Sequence, residues 1–164
     1  MSTLTVWKFN NANGAENALD KLQDLQKQEL IKIMDAAIVT WPQGRKKPKT
    51  HQAVSTVGTG ALGGAFWGML FGLIFLVPLY GMIVGAAAGA ISGKFTDYGI
   101  NDSFIKEVRT KVTEGTSALF LLTGQVTVDK VKDAFAPEER GELVQSNLTA
   151  EQEAKLTEDF GAEL

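Results

Sequence analysis

Few side chains in this sequence combine a type and a spacing that carries chemistry. Gly58-Thr-Gly60-Ala-Leu-Gly63 has the Gly-x-Gly-x-x-Gly spacing that cradles a dinucleotide pyrophosphate. That motif needs an acid about 20 residues further on for the ribose hydroxyl, and residues 75–85 contain none. Glycines this dense produce the pattern by coincidence. His51 is the single histidine and has no carboxylate beside it in sequence, so it reads as a strand-end polar residue rather than a base or ligand. The absence of cysteine removes thiolate nucleophiles, disulfides and cysteine-held metals. Asp97, Asp102 and Glu107 surround a helix start, where Asp caps. Glu151, Glu153, Glu158 and Asp159 read as the wet face of a last helix. Nothing pairs a nucleophile with a base. The expectation is therefore a protein that is not an enzyme, with no catalytic residue, metal or cofactor and no small-molecule substrate.

The densest charge is the cluster Arg45, Lys46, Lys47 and Lys49, directly before a long apolar stretch. It suits anionic lipid head groups at about 1 kcal/mol per base near a charged surface. An edge strand guarded by lysines and Pro48 is the competing reading. A nucleic-acid platform with Trp7, Phe9 and Trp41 would need a stacking pair that the strand 45–51 lacks, and the net charge of −3 argues against a surface built for nucleic acid.

The elements that would position these groups are set out by charge. No Asp, Glu, Lys or Arg occurs from Thr50 to Gly93, and residues 137–164 hold two bases against eight acids. Residues 3–9 alternate, with Leu4 and Val6 on one side and Thr5, Trp7 and Phe9 on the other, which predicts a strand. Asn13 and Glu16 fit a capping box for a helix over about 14–28, with Ala18, Leu22 and Leu25 on its inner face. A strand over 31–39, a turn at Trp41-Pro-Gln-Gly44 and a basic strand Arg45–Gln52 predict a hairpin. Asn101-Asp102-Ser103 predicts the start of a helix carrying Phe104, Ile105, Val108 and Val112. Ser117–Thr123 is apolar enough for a central strand. Helix Thr127–Phe135, strand Gly141–Asn147 and an acidic helix from Thr149 complete the order. The expected fold is α+β: a ferredoxin-like βαββαβ domain with a C-terminal αβα extension, interrupted by an apolar hairpin. Its parts are 1–52 with 99–148 as one discontinuous domain, 53–98 as the hairpin, and 149–164 as an acidic tail.

Within the uncharged block, Gly60, Gly64, Gly68 and Gly72 are followed by Gly81, Gly85, Gly89 and Gly93, mirrored about Val77-Pro78. A glycine costs about 1 kcal/mol against alanine in a water-exposed helix. The Gly-x-x-x-Gly spacing lets helix backbones approach closely in a membrane. Two antiparallel helices follow, about 55–76 and 79–97, each about 30 Å long and so matched to a bilayer. Leu62, Phe66, Met69 and Leu73 would face lipid, while the second leg has few large side chains and needs a partner. A buried hairpin inside a soluble assembly is the other solution. Bases on both flanks would keep both ends cytoplasmic, and the N-terminus does not read as a secretory signal.

On Trp7-Lys-Phe9, Asp35-Ala-Ala-Ile-Val39, His51-Gln52, the paired glycine arrays and Ser117-Ala-Leu-Phe-Leu-Leu122, the chain resembles an uncharacterised bacterial family of predicted membrane proteins with a glycine-zipper hairpin inside a ferredoxin-like domain. Similar sequences are linked by name to general stress proteins, which implies a stress connection and supplies no activity. The functional expectation is a membrane-associated homo-oligomeric structural protein at the cytoplasmic membrane, with itself and lipid as partners and no nucleic acid. Its alternative is a soluble or lipid-enclosing shell, ring or filament with the hairpins inside.

Overall fold

The computed structural model describes residues 3–52, 64–75, 100–126, 134–135 and 141–146, without the side chains of 51–52, 64–66, 68–69, 102 and 125–126. In chain order these form β1 (Thr3–Phe9), α1 (Gly14–Lys27), β2 (Ile31–Thr40), β3 (Lys49–Gln52), α2 (Gly64–Phe75), α3 (Asp102–Lys111), β4 (Ser117–Val126) and β5 (Glu142–Ser146). The strands make one antiparallel sheet in the order β3-β2-β4-β1-β5.

The architecture is mixed α+β, and its strand order departs from the expected one. A split βαβ arrangement of the first four strands would seat β3 in the sheet interior, but β4 lies between β1 and β2 and β3 takes the edge. The reason is burial. Ala118 to Leu122 of β4 are all 5% exposed or less, so this strand is satisfied only where both faces are covered. β3 has four residues, follows Pro48 and begins with Lys49, features that suit an edge. Residues 45–48, expected as strand, are irregular instead, with a bend at Lys46 and Lys47 after the turn at Gln43 and Gly44.

Alternation in β4 feeds two cores. Leu119 and Leu121 pack with Ala15, Ala18, Leu19, Leu22 and Leu25 of α1. Ala118, Phe120 and Leu122 pack with Trp67, Leu70, Phe71 and Ile74 of α2 and with Phe104 and Val108 of α3. Helices therefore cover both faces of the sheet. α2 belongs to the second core, inside the stretch 53–98 that the sequence set apart as a hairpin.

The ends of α1 show tertiary structure replacing local signals. The expected capping box is absent: Asn13 makes no side-chain cap bond. Ser117 Oγ, from β4, accepts from Ala15 N–H at 2.9 Å and donates to Asn11 O at 2.7 Å. At the other end, Leu30 N–H reaches Leu25 O and Glu29 N–H reaches Gln26 O, a Schellman closure with Glu29 at φ 62° where glycine is usual. The α3 start is as expected, with Asn101 Oδ1 accepting from Phe104 N–H at 2.9 Å. β5 falls within the expected strand Gly141–Asn147. The acidic helix from Thr149 lies outside the described residues, as does helix Thr127–Phe135 apart from a turn at Ala134 and Phe135.

Candidate functional site

The unusual polar group of the core is Asp35, in the middle of β2 and 0% exposed. Regular alternation from Ile31 and Ile33 would send residue 35 to the α1 face. The register shifts between Ile33 and Asp35: two steps along β2 match one along β4, from Thr123 to Leu122. The extra residue turns Asp35 to the α2 side, as bulges do. There its Oδ2 accepts from Trp67 Nε1–H at 3.1 Å, and its Oδ1 accepts from Ala36 N–H at 2.8 Å. The indole stacks on Phe71 at 5.8 Å and meets Phe120 edge-on at 6.1 Å.

Trp67, Leu70, Phe71 and Ile74 are each at most 1% exposed, and at roughly 100° per residue they occupy an arc of about 100° on α2. Burying four such side chains is worth about 6–12 kcal/mol. The row Gly64, Gly68 and Gly72 is centred about 110° from that arc, and Gly72 is half-buried. Arg109 of α3 holds the far end of α2: its Nε–H donates to Ile74 O at 2.9 Å and its terminal nitrogen to Leu73 O at 2.6 Å. A guanidinium on these carbonyls ties α2 to α3 through charge-assisted hydrogen bonds.

The basic turn reaches the same end of the helix. Arg45 N–H donates to Pro42 O, Gly44 adopts φ 87°, and Trp41 Nε1–H donates to Arg45 O at 2.8 Å. The Trp41 ring meets Phe75 edge-on at 6.2 Å. Arg45, Lys46, Lys47 and Lys49 are all exposed.

The remaining sequence candidates are dispersed or undescribed. Gly64, Gly68 and Gly72 lie on α2, whereas Gly60, Gly81, Gly85, Gly89 and Gly93 lie outside the described residues, as do Leu62 and the side chains of Phe66 and Met69. Leu73 is 41% exposed. The fingerprint-like 58–63, Asp97 and the tail acids are also outside. His51 pairs with Ile38 in the sheet, and Glu107 is exposed on α3. The three aromatics do not form one open platform: Phe9 is 8% exposed and Trp7 packs against the α1-side core, while Trp41 contacts Phe75 on the other side. No three His, Cys, Asp or Glu side chains converge among the described residues. The site holds a carboxylate away from water and anchors a helix.

Sequence reasoning missed Asp35, Trp67 and Arg109 as a unit. The available signals were a lone acid inside the apolar run 31–39 and a lone Trp inside the uncharged block.

Residues 61–161, more than half of the chain, match the family described as Protein of unknown function (DUF1269). The chain belongs to this family. The DUF1269 match begins inside the uncharged block and takes in α2, α3, β4 and β5, so it includes Trp67 and Arg109, while Asp35 and the basic turn precede it. No curated protein and no solved structure matches the chain.

Proposed function

We propose that this DUF1269 protein is a non-enzymatic, membrane-associated homo-oligomer in which the uncharged block is the assembly element and α2 is its root. The observation that carries this reading is the geometry of α2: the arc docked on the sheet and the glycine row are about 110° apart, so in this reading a second helix approaches along the row. Close approach along such a row is what Gly-x-x-x-Gly spacing supports. The partner helix would come from residues 79–97 of the same chain or of another copy. A link to stress belongs to the same proposal and rests on the resemblance alone.

Magnitudes favour association over a complete span by α2. Among the described residues no helix is long and apolar enough to cross a membrane. Leaving the sheet would forfeit about 6–12 kcal/mol of burial. Its six Leu, Ile and Phe residues would recover about 2–4 kcal/mol in lipid. Within the first leg expected over 55–76, residues 64–75 are the part the structure describes, and their buried arc docks on the sheet. A ferredoxin-like ancestry fits β2-β4-β1-β5 as a split βαβ order, with β3 to α3 inserted after β2.

The second reading, a shell, ring or filament with the hairpins inside, draws support from the same docking, because an α2 held on its own sheet can be covered by neighbouring subunits as well as by lipid. Light scattering and fractionation test both. Wild type should run as a discrete multimer in mild detergent, and Gly64, Gly68, Gly85 and Gly89 replaced together by Leu should reduce its size. Unchanged size would remove the glycine rows from the assembly. Pelleting that detergent reverses supports membrane association, and a detergent-independent particle supports the shell.

A further inference from the structure

The apolar residues of α2 do not by themselves select which side of the helix lies on the sheet. Trp67, Leu70, Phe71 and Ile74, the buried arc, have the spacing i, i+3, i+4, i+7. Phe66, Met69, Leu70 and Leu73 repeat that spacing one residue earlier, and a step of one residue is a turn of about 100° with a rise of about 1.5 Å. Both sets are aromatic and aliphatic throughout, so their burial removes comparable apolar area. The grip of Arg109 does not separate them, because it falls on the backbone carbonyls of Leu73 and Ile74. A helix screwed by one residue presents the carbonyls of Gly72 and Leu73 at the same place. The side chains of α2 contain one nitrogen and no oxygen, the nitrogen being the Trp67 indole N–H. It donates to Asp35 Oδ2 at 3.1 Å.

We infer that Asp35 sets the rotation of α2 on the sheet, as a positioning residue that distinguishes the Trp67 arc from the arc one residue earlier. Its carboxylate is 0% exposed, is turned to the α2 side by the register shift between Ile33 and Asp35, and is steadied by Ala36 N–H on Oδ1 at 2.8 Å. It therefore meets α2 with a fixed aim. In the observed setting Oδ2 accepts from the indole. In the other setting position 67 turns away by about 100°, and Phe66, which has no side-chain donor, takes its place. A buried acceptor deprived of a donor loses more than the bond itself contributes, and the fixing of register is the best-attested use of buried polar groups. The rotation also decides what a partner meets, since Leu73, 41% exposed, belongs to the arc one residue earlier. This holds whether the partner is lipid or another subunit, so it does not depend on the proposed assembly.

The test exchanges two aromatic side chains: Phe66→Trp with Trp67→Phe moves the indole back by one residue and leaves the composition unchanged. The chain has no cysteine, so Leu73→Cys or Ile74→Cys, introduced one at a time, reports its own exposure through the rate of maleimide labelling of the folded full chain. With the natural aromatics, position 73 should label faster than position 74, where the isoleucine is 1% exposed. With the aromatics exchanged the order should invert, because the helix turns to return the indole to Asp35. Trp67→Phe alone removes the donor, and Asp35→Asn alone leaves one acceptor oxygen for two donors. Each should narrow the ratio of the two rates about tenfold. An unchanged order after the exchange overturns the inference, as does faster labelling at both positions together, which marks a loosened helix rather than a turned one. The single substitutions decide it independently: a ratio that neither of them moves overturns it as well. Particle size enters none of these readouts, so failure of the glycine rows to assemble the protein and failure of Asp35 to set the helix are told apart.

Discussion

α1 and α2 cover opposite faces of one sheet with opposite outer surfaces. α1 buries Ala15, Ala18, Leu19, Leu22 and Leu25 and turns Glu16, Asp20 and Asp24 to water. It is an ordinary amphipathic helix, complete once docked. α2 buries Trp67, Leu70, Phe71 and Ile74 just as fully, yet it has no charged residue on any side. A helix apolar all round needs a second cover. The difference teaches that α1 is complete once docked on the sheet, whereas α2 carries apolar side chains all round, the cover for which the proposal draws from residues 79–97 or from another copy.

That contrast can be broken most severely at Trp67. Trp67→Ala should cost about 3–5 kcal/mol, as large aromatic deletions from a core do, with Asp35 also losing an indole donor. Urea unfolding should show at least the loss seen for Leu22→Ala on the other face; a loss under about 1 kcal/mol would mean that α2 is not an integral layer. Arg109→Ala comes next, at about 1–2 kcal/mol, because two carbonyls of α2 lose charge-assisted bonds. Hydrogen exchange should increase first in α2 and leave α1 protected. Glu29→Gly should act in the opposite sense, stabilising by about 1 kcal/mol by relieving a left-handed backbone in a non-glycine residue, with the gain confined to the α1 side. Smallest are the outer surfaces themselves. Lys27→Ala should leave stability within about 0.5 kcal/mol, since its pair with Asp24 is 3.9 Å long and widely exposed. Leu73→Gln should be equally quiet in unfolding while altering particle size or vesicle binding, which sharpens the claim that only the α2 side faces a partner.

Periodicity made much of the fold legible. The alternation of Leu4, Val6, Trp7 and Phe9, the inner row of α1 and the Asn101 cap are local features, and each is found where the residues place it. The apolar run from Ser117 marked a central strand for a physical reason, because no edge tolerates it. What was not legible depends on pairing partners distant in sequence. The interior seat of β4 is decided by competition between a ten-residue apolar strand and a four-residue basic one. The aim of Asp35 is decided by one unpaired residue opposite β4, which no alternation count reveals. The inward face of α2 was hidden because a helix without polar residues gives its pattern nothing to point with; the glycine row suggested one direction, and the sheet selected another. For the candidate site, composition alone pointed to Arg45–Lys49 as a surface cluster, while its attachment to α2 through Trp41 is a tertiary fact.

The Arg109 grip also sets a depth limit. Moving a guanidinium to the middle of a bilayer costs about 2.5–3.5 kcal/mol on the insertion scale, and this one is fastened to the backbone at positions 73 and 74. Under the proposed membrane association, therefore, α2 could sink no deeper than an arginine that must stay within reach of water allows, like a collar on a probe.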